Sequence, residues 1–155
     1  MKAIHWIIAA AAFACAEPVH AGVADPEIII YRFTGVRNGG DVGIGLITVF
    51  DCTNFSGTGE NLRFVTRDGN TVLISNVVQF LFHLETLTVV THTPTSFFYS
   101  LNLNMGLVKH GTTAIAATST SIICGARLFD ATNSNPSGGY PLRAVRFNPV
   151  PGSQE

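Results

Sequence analysis

Two strand-like segments, each with one cysteine, constrain the fold of this chain more than any other part of its sequence. They are Leu46 to Cys52 and Thr120 to Leu128, and both are rich in the β-branched and aromatic residues that favour strands. Because successive side chains of a strand point to opposite faces, Phe50 and Cys52 share one face of the first segment. In the second, Cys124 shares a face with the apolar residues two positions before and after it. We therefore expect both cysteines to point into a core and their disulfide to join two sheets.

The N-terminus has the pattern of an export signal. Lys2 precedes an apolar segment from Trp6 to Ala14, and Val19-His20-Ala21 is a small-x-small cleavage site. We expect residues 1–21 to be a signal peptide, and we expect the mature protein to be secreted or periplasmic.

A second interpretation of the same segment stays open. Ala12-Phe13-Ala14-Cys15 resembles a bacterial lipobox, which would leave the mature protein lipid-anchored through Cys15. Neither interpretation adds a transmembrane segment after signal removal, because no later apolar stretch reaches the roughly 18 residues that a spanning helix needs.

Removal of the signal leaves two cysteines, Cys52 and Cys124. Exported compartments oxidise thiols, so the even count predicts one disulfide with a single possible pairing. Its loop of about 70 residues makes the bond worth about 4 kcal/mol in loop-closure entropy. Two buried free thiols are the alternative.

The remaining segments, over residues 22–148, are typical of short strands separated by turns. Asp68-Gly69 between two alternating segments predicts a β-hairpin. In Val77 to Leu84 the even-numbered positions are all apolar, so we assign them to the core. In Phe97 to Asn104 we assign the odd-numbered positions to the core. The pattern predicts one all-β sandwich followed by a flexible tail, residues 149–155, with a closed barrel as the alternative.

The order of a cysteine in an early strand, a hairpin and a cysteine in a late strand resembles the immunoglobulin-like arrangement. The chain departs from antibody domains, because no tryptophan follows Cys52 and Ile122 stands where those domains have tyrosine. Cys52-Thr53-Asn54, Asp68-Gly69, Cys124 and the closing Arg146-Phe147-Asn148-Pro149 look like small exported bacterial β-sandwich proteins of uncharacterised function. The resemblance implies an immunoglobulin-like sandwich of about eight or nine antiparallel strands with one inter-sheet disulfide. It implies no activity.

No motif in the sequence carries recognisable chemistry. His83, His92 and His110 lack the close ligand spacing of zinc sites, and no Gly-x-Ser-x-Gly motif is present. We expect no catalytic site, no metal and no cofactor. The charged fraction is only 12%, with a formal net charge of −1 and no basic run, which argues against a nucleic-acid partner.

Three functions remain compatible with the sequence. We expect a non-catalytic binding or surface-interaction module, and therefore no enzyme, whose partner is an unknown protein or envelope component. The second is a subunit of a surface assembly joined by strand addition. The third is a small hydrolase built from the loop carboxylates Asp51, Glu60, Asp68, Glu85 and Asp130.

Strand alternation also predicts where such a module would bind. It leaves Phe98 on an outward face of its segment, and it leaves Val77 and Leu81 on the less apolar face of theirs. Clustered exposed hydrophobic side chains mark interaction surfaces, so these three residues are the predicted binding surface.

Overall fold

The computed structural model describes residues 27–39, 42–95, 97–132 and 138–147. The predicted export signal, residues 1–21, and the predicted tail, residues 149–155, lie outside these ranges. Within them the chain forms ten strands and no α-helix, which confirms the all-β prediction. The strands are β1 (Ile28–Asn38), β2 (Leu46–Asn54), β3 (Glu60–Asp68), β4 (Leu73–Leu81), β5 (Thr86–Val90), β6 (Leu101–Asn102), β7 (Val108–Ala117), β8 (Ile122–Asp130), β9 (Tyr140–Pro141) and β10 (Ala144–Arg146).

The strands form two five-stranded sheets, as a sandwich requires. Sheet A has the order β10-β1-β7-β3-β4, and sheet B has the order β6-β5-β2-β8-β9. Neighbouring strands are antiparallel except β5 and β6, which are parallel. Ten strands replace the expected eight or nine, since β6 and β9 contain only two residues each.

The main core lies between the sheets and is built around aromatic side chains. Phe33 of β1 and Phe64 of β3 reach it from sheet A, and Phe50 of β2 reaches it from sheet B. The ring of Phe50 lies 5.6 Å from that of Phe33 and 6.0 Å from that of Phe64, measured between centroids. These distances are typical of favourable aromatic pairs, so the three rings hold the sheets together at their centre.

A second apolar cluster lies on the opposite face of sheet B. It contains Ile47 and Val49 of β2 and Phe129 of β8, against which Phe97 and Tyr99 pack. Residues that follow β5 therefore cover this face, and β2 is buried on both sides. The predicted continuous strand from Phe97 to Asn104 is wrong, because only Leu101–Asn102 pairs with another strand.

The disulfide between Cys52 and Cys124 is present, but it lies within one sheet. The strands β2 and β8 are neighbours in sheet B, and the two cysteines are directly opposite each other. Their Cα atoms are 4.1 Å apart. The predicted inter-sheet disulfide is therefore wrong, and the arrangement differs from antibody domains, whose bridged strands belong to opposing sheets. Alternation identified the core-facing side of each strand, but it carries no information about which sheet a strand joins.

The predicted hairpin at Asp68-Gly69 is confirmed as the connection between β3 and β4. The Asp68 carboxylate accepts hydrogen bonds from the backbone N–H groups of Asn70 and Val72, each at 2.9 Å. Thr71 has a φ of 67°, a left-handed conformation that β-branched residues rarely adopt. The Asp68 side chain thus stabilises the turn, whereas the backbone of Thr71 is strained.

A β-bulge at the start of β4 decides which of its side chains face the core. Thr66 pairs with Ser75. Arg67 pairs with Leu73, which leaves Ile74 as the extra residue. Ile74 packs partly against the main core, but beyond it the inward positions are odd-numbered. One inserted residue therefore reverses the two faces of the strand.

Candidate interaction surface

The three residues predicted to form a binding surface are not brought together. Leu81 is fully buried, at 0% exposure, and Val77 is half-buried against the main core. The assignment of both to an outward face is therefore wrong. Phe98 is 84% exposed, but it lies in the segment that covers sheet B, whereas the other two belong to sheet A.

The bulge at Ile74 explains this error. Continuing the alternation of the hairpin along β4 places the even-numbered positions inward, and those positions are all apolar. The bulge instead turns them outward. For this reason alternation along the sequence did not place the even-numbered residues on the surface. The odd-numbered positions also include apolar residues, Val77 and Leu81, and this was the signal that they could face the core instead.

The outward series forms an exposed apolar surface, which we call the β4 surface. Its members are Val78 and Phe80 on β4 and Phe82 and Leu84 in the turn that follows, with exposures of 41%, 46%, 67% and 65%. The rings of Phe80 and Phe82 meet edge to face, with centroids 5.0 Å apart. Contiguous exposed apolar side chains are a mark of interaction surfaces, whereas isolated ones are ordinary.

The turn that carries Phe82 and Leu84 connects β4 to β5 and is bonded to the end of β2 in sheet B. The buried Asn54, at the end of β2, donates from its side chain to the carbonyl oxygen of Leu81 at 3.0 Å. Its backbone carbonyl accepts from the N–H of Leu84 at 2.8 Å. Leu84 has a φ of 63°, an unfavourable conformation that these bonds maintain. The two apolar side chains are therefore displayed on a pre-organised turn, which lowers the entropy cost of binding.

A glycine allows one ring of the β4 surface to lie close to the backbone. A Cβ atom added at Gly59 would be 2.1 Å from Cζ of Phe80. The ring of Phe80 therefore lies directly against the backbone at Gly59, in the space that a side chain at this position would occupy. Phe80 supports the surface, while Phe82 projects from it.

β4 is also an unusual edge strand. It pairs with β3 on one side and with no described strand on the other. Proteins protect exposed edges by short strands, charged residues or proline. The other three edges follow this rule, since β6 and β9 have two residues each, β9 contains Pro141, and β10 has three residues with Arg146. β4 has nine residues and contains neither a charged residue nor proline.

The three histidines within the described ranges lie apart from one another. His92 is buried, His83 lies exposed in the turn after β4, and His110 lies over Gly69 of the hairpin. Within the part of the chain that the structure describes, no group of three or more His, Cys, Asp or Glu side chains is placed to hold a metal ion.

The five carboxylates considered for a hydrolase are each engaged by neighbouring residues. Their partners are Arg127 and Thr88 for Asp51, Thr58 and Thr118 for Glu60, the hairpin turn for Asp68, the backbone of Phe82 for Glu85, and Thr132 for Asp130. The backbone N–H and the hydroxyl of Thr132 lower the pKa of Asp130. These contacts give each carboxylate a structural role in its own turn or strand pair.

No protein-family model, curated protein or solved structure matches this chain. None of the described segments forms a helix with the length and apolarity needed to cross a bilayer.

Proposed function

We propose that this protein is a non-catalytic binding or surface-interaction module that holds a protein partner along the free edge of β4. The observation that carries the proposal is the contrast between the four sheet edges. Among the described strands, three edges are short or carry protective residues, and β4 alone is long, uncharged and free of proline. An exposed strand of this kind is a template for a partner's strand.

The β4 surface supplies the side-chain contacts that such binding needs. In strand addition, backbone hydrogen bonds give affinity, and side chains beside the edge give specificity. Val78, Phe80 and Phe82 lie on the outer side of the edge and present apolar contact area. Burying such area releases about 25 cal/mol per Å². A partner strand with apolar residues at alternate positions fits this surface.

The same edge supports the second candidate function, a subunit of a surface assembly. Here the added strand comes from another copy or from a companion subunit. No charged residue on β4 opposes the approach of a second uncharged strand. The two candidates differ in the partner and share the binding site.

We propose further that the protein is exported and is secreted or periplasmic. The signal pattern of residues 1–21 supports this, as does the disulfide, since such bonds persist in oxidising compartments. The resemblance to small exported bacterial β-sandwich proteins points the same way. Lipid attachment at Cys15 is the alternative. The intact mass of the exported protein distinguishes a chain that begins after Ala21 from a diacylated chain that begins at Cys15.

The edge proposal is tested by placing a charge on β4. Val78→Lys puts an ammonium group where a partner's apolar side chains would be buried, and burying an unpaired charge is costly. Val145→Lys is the matched control, because Val145 has a similar exposure, 47% against 41%, on the edge strand at the other side of sheet A. Both variants should fold normally, since surface substitutions change stability by about 0.5 kcal/mol or less.

Immobilised wild-type protein and both variants are exposed to an extract of the cell envelope, and self-association is followed by sedimentation. A partner or an oligomer seen with wild type and Val145→Lys, and lost with Val78→Lys, supports the proposal. Hydrogen exchange should then show β4 amides protected in the complex. Equal binding by Val78→Lys, or protection elsewhere, contradicts it.

A further inference from the structure

We propose that the outer face of sheet A carries a second binding site, an arginine-walled cleft that binds an acidic polysaccharide. The cleft has a volume of about 300 Å³ and runs along β7, the central strand of the sheet. Its arginines are Arg32, Arg63 and Arg67. We call it the arginine cleft. One strand, β3, lies between the floor of the cleft and the edge strand β4.

The floor of the arginine cleft is made by small side chains. Thr112, Ala114 and Ala116 point outward from β7. At the positions paired with Ala114 and Ala116, the flanking strands β1 and β3 carry larger residues, so the central strand forms a trough. Flanking strands of one sheet are separated by two strand spacings, about 9.5 Å, which is wide enough for one extended chain.

The three guanidinium groups alternate between the walls. Arg63 on β3 pairs with Ala116. Arg32 on β1 pairs with Ala114 from the other side, and Arg67 on β3 pairs with Thr112. Because these β7 positions are two residues apart, successive arginines are spaced by about 6.7 Å along the cleft. The cleft thus offers positive charge on alternate sides at a short repeat.

Neighbouring groups orient the arginines without using all their donors. Arg67 donates from Nη1 to the carbonyl oxygen of Thr71 at 2.9 Å, and Arg32 lies over the Phe147 ring at 5.8 Å. A guanidinium has five N–H donors in a planar fork, so both keep donors for a ligand. Oriented arginines are suited to the bidentate binding of oxyanions.

One end of the cleft already holds a carboxylate, that of Glu27. Glu27, just before β1, forms an ion pair with Arg63, and its second oxygen lies 3.4 Å from Nη2 of the same arginine. The glutamate side chain is only 8% exposed. Within this cleft, therefore, a carboxylate meets an arginine with little access to water. Arg32 and Arg67 lie further along the cleft, beside Ala114 and Thr112, and are placed to receive the anionic groups of a ligand.

The geometry favours an acidic polysaccharide over the other polyanions. The backbones of β1, β7 and β3 are paired with one another, so this face has no free backbone groups for a peptide strand. None of the cleft residues is aromatic, so nucleic-acid bases have no stacking platform. An extended acidic glycan carries its anionic groups alternately to either side. Its rings would lie on the alanine floor with carboxylates or sulfates against the arginines.

Isothermal titration calorimetry at low ionic strength tests the proposal with four probes: oligogalacturonate, a heparin oligosaccharide, oligoglutamate and single-stranded DNA. A neutral galactan oligosaccharide is the uncharged control. We expect one or both acidic glycans to bind, with affinity that falls as salt rises. Arg32→Gln and Arg67→Gln should each weaken binding about tenfold or more, since each removes a charge-assisted contact. Arg37→Gln, on β1 outside the cleft, is the matched control and should bind as wild type.

Ala114→Leu gives a second test that leaves the charge unchanged. It fills the floor of the cleft on the outer face of the sheet, and it should abolish glycan binding while the melting temperature stays near that of wild type. Phe82→Ser, in the turn after β4 and outside the cleft, should bind glycan normally, which separates this site from the proposed partner edge. Tighter binding of oligoglutamate or DNA than of either acidic glycan overturns the ligand class. Normal glycan binding by Arg32→Gln and Ala114→Leu overturns the site.

Discussion

The side-chain oxygen of Asn38 lies 2.5 Å from Nδ1 of the buried His92. The amide nitrogen of Asn38 donates to the carbonyl oxygens of Met105 and Gly106, at 2.7 and 2.9 Å. Its orientation is therefore fixed, the oxygen can only accept, and Nδ1 of His92 carries a proton. Asn38, at the end of β1, is thus bonded to His92 in the segment after β5 and to the segment between β6 and β7.

The burial of His92 predicts that the protein is less stable in acid. Burial lowers the pKa of His92. The carbonyl oxygen of Ile44, 3.2 Å from Nε2, raises this pKa, but it offsets only part of the effect of burial. A lowered folded-state pKa means that the unfolded chain binds the proton more readily. The stabilisation is complete above the ordinary value of 6.5 and is lost as pH falls through the folded-state pKa. Urea unfolding between about pH 5 and 8 should show a midpoint that rises with pH.

The matched variants for this test are His92→Gln and His83→Gln. The first should remove part of the pH dependence in that range and lower stability at neutral pH. The second changes an exposed histidine and should leave the dependence intact. A pH dependence that His92→Gln does not alter would assign it to another group.

The disulfide should stabilise the protein strongly without determining its strand arrangement. Replacing Cys52 and Cys124 together by alanine should cost about 2–5 kcal/mol. Because β2 and β8 pair along their whole length, the far-UV circular dichroism spectrum should be retained. Denaturant unfolding measures the loss, and reduction of wild-type protein should reproduce it. Two alkylatable thiols in natively purified protein would contradict the bond.

Leu81 and Phe82 are neighbours in sequence with opposite expected roles. Leu81→Ala should destabilise the protein by about 2–5 kcal/mol, because it leaves a cavity in the main core. Phe82→Ser should change stability by about 0.5 kcal/mol or less and should weaken partner binding. Phe98→Ser, which changes another exposed phenylalanine but over sheet B, is its control and should keep partner binding. Melting temperatures and the capture experiment with envelope extract measure the two effects.

The strain at Thr71 predicts a stabilising substitution. Thr71→Gly should raise stability by about 0.5–1 kcal/mol, because glycine adopts the observed φ of 67° without the clash of a β-branched side chain. Thr71→Ala keeps a Cβ atom and should gain less. Thermal unfolding measures both, and a loss of stability in Thr71→Gly would show that the threonine side chain has a stabilising contact.

Alternation along single strands predicted much of the fold correctly. It identified the inward faces of β2 and β8, and the Asp-Gly turn located the β3–β4 hairpin. It failed in β4, where one extra residue shifted the alternation of inward and outward positions. The residues next to Ile74 do not by themselves reveal the bulge, which reversed the inward and outward faces of all later positions in β4.

Alternation also cannot predict properties that depend on the pairing of two segments distant in sequence. The cysteine strands could be recognised, but their pairing in one sheet depends on the register of β2 with β8. The arginine cleft depends in the same way on β7 lying between β1 and β3. Arg32 and Arg63 are far apart in sequence and face each other diagonally only after both strands have paired with β7.

The position of the disulfide has a mechanical consequence. The covalent ring that it closes contains β3, β4, β5, β6 and β7, whereas β1 and β10 lie outside it. A pulling force on the two chain ends passes from Cys52 to Cys124 through the bond and bypasses every residue in the ring. Tension would peel β1 and β10 from sheet A and would leave β4 paired with β3. The edge proposed to hold the partner is thus shielded from load by a bond in the opposite sheet.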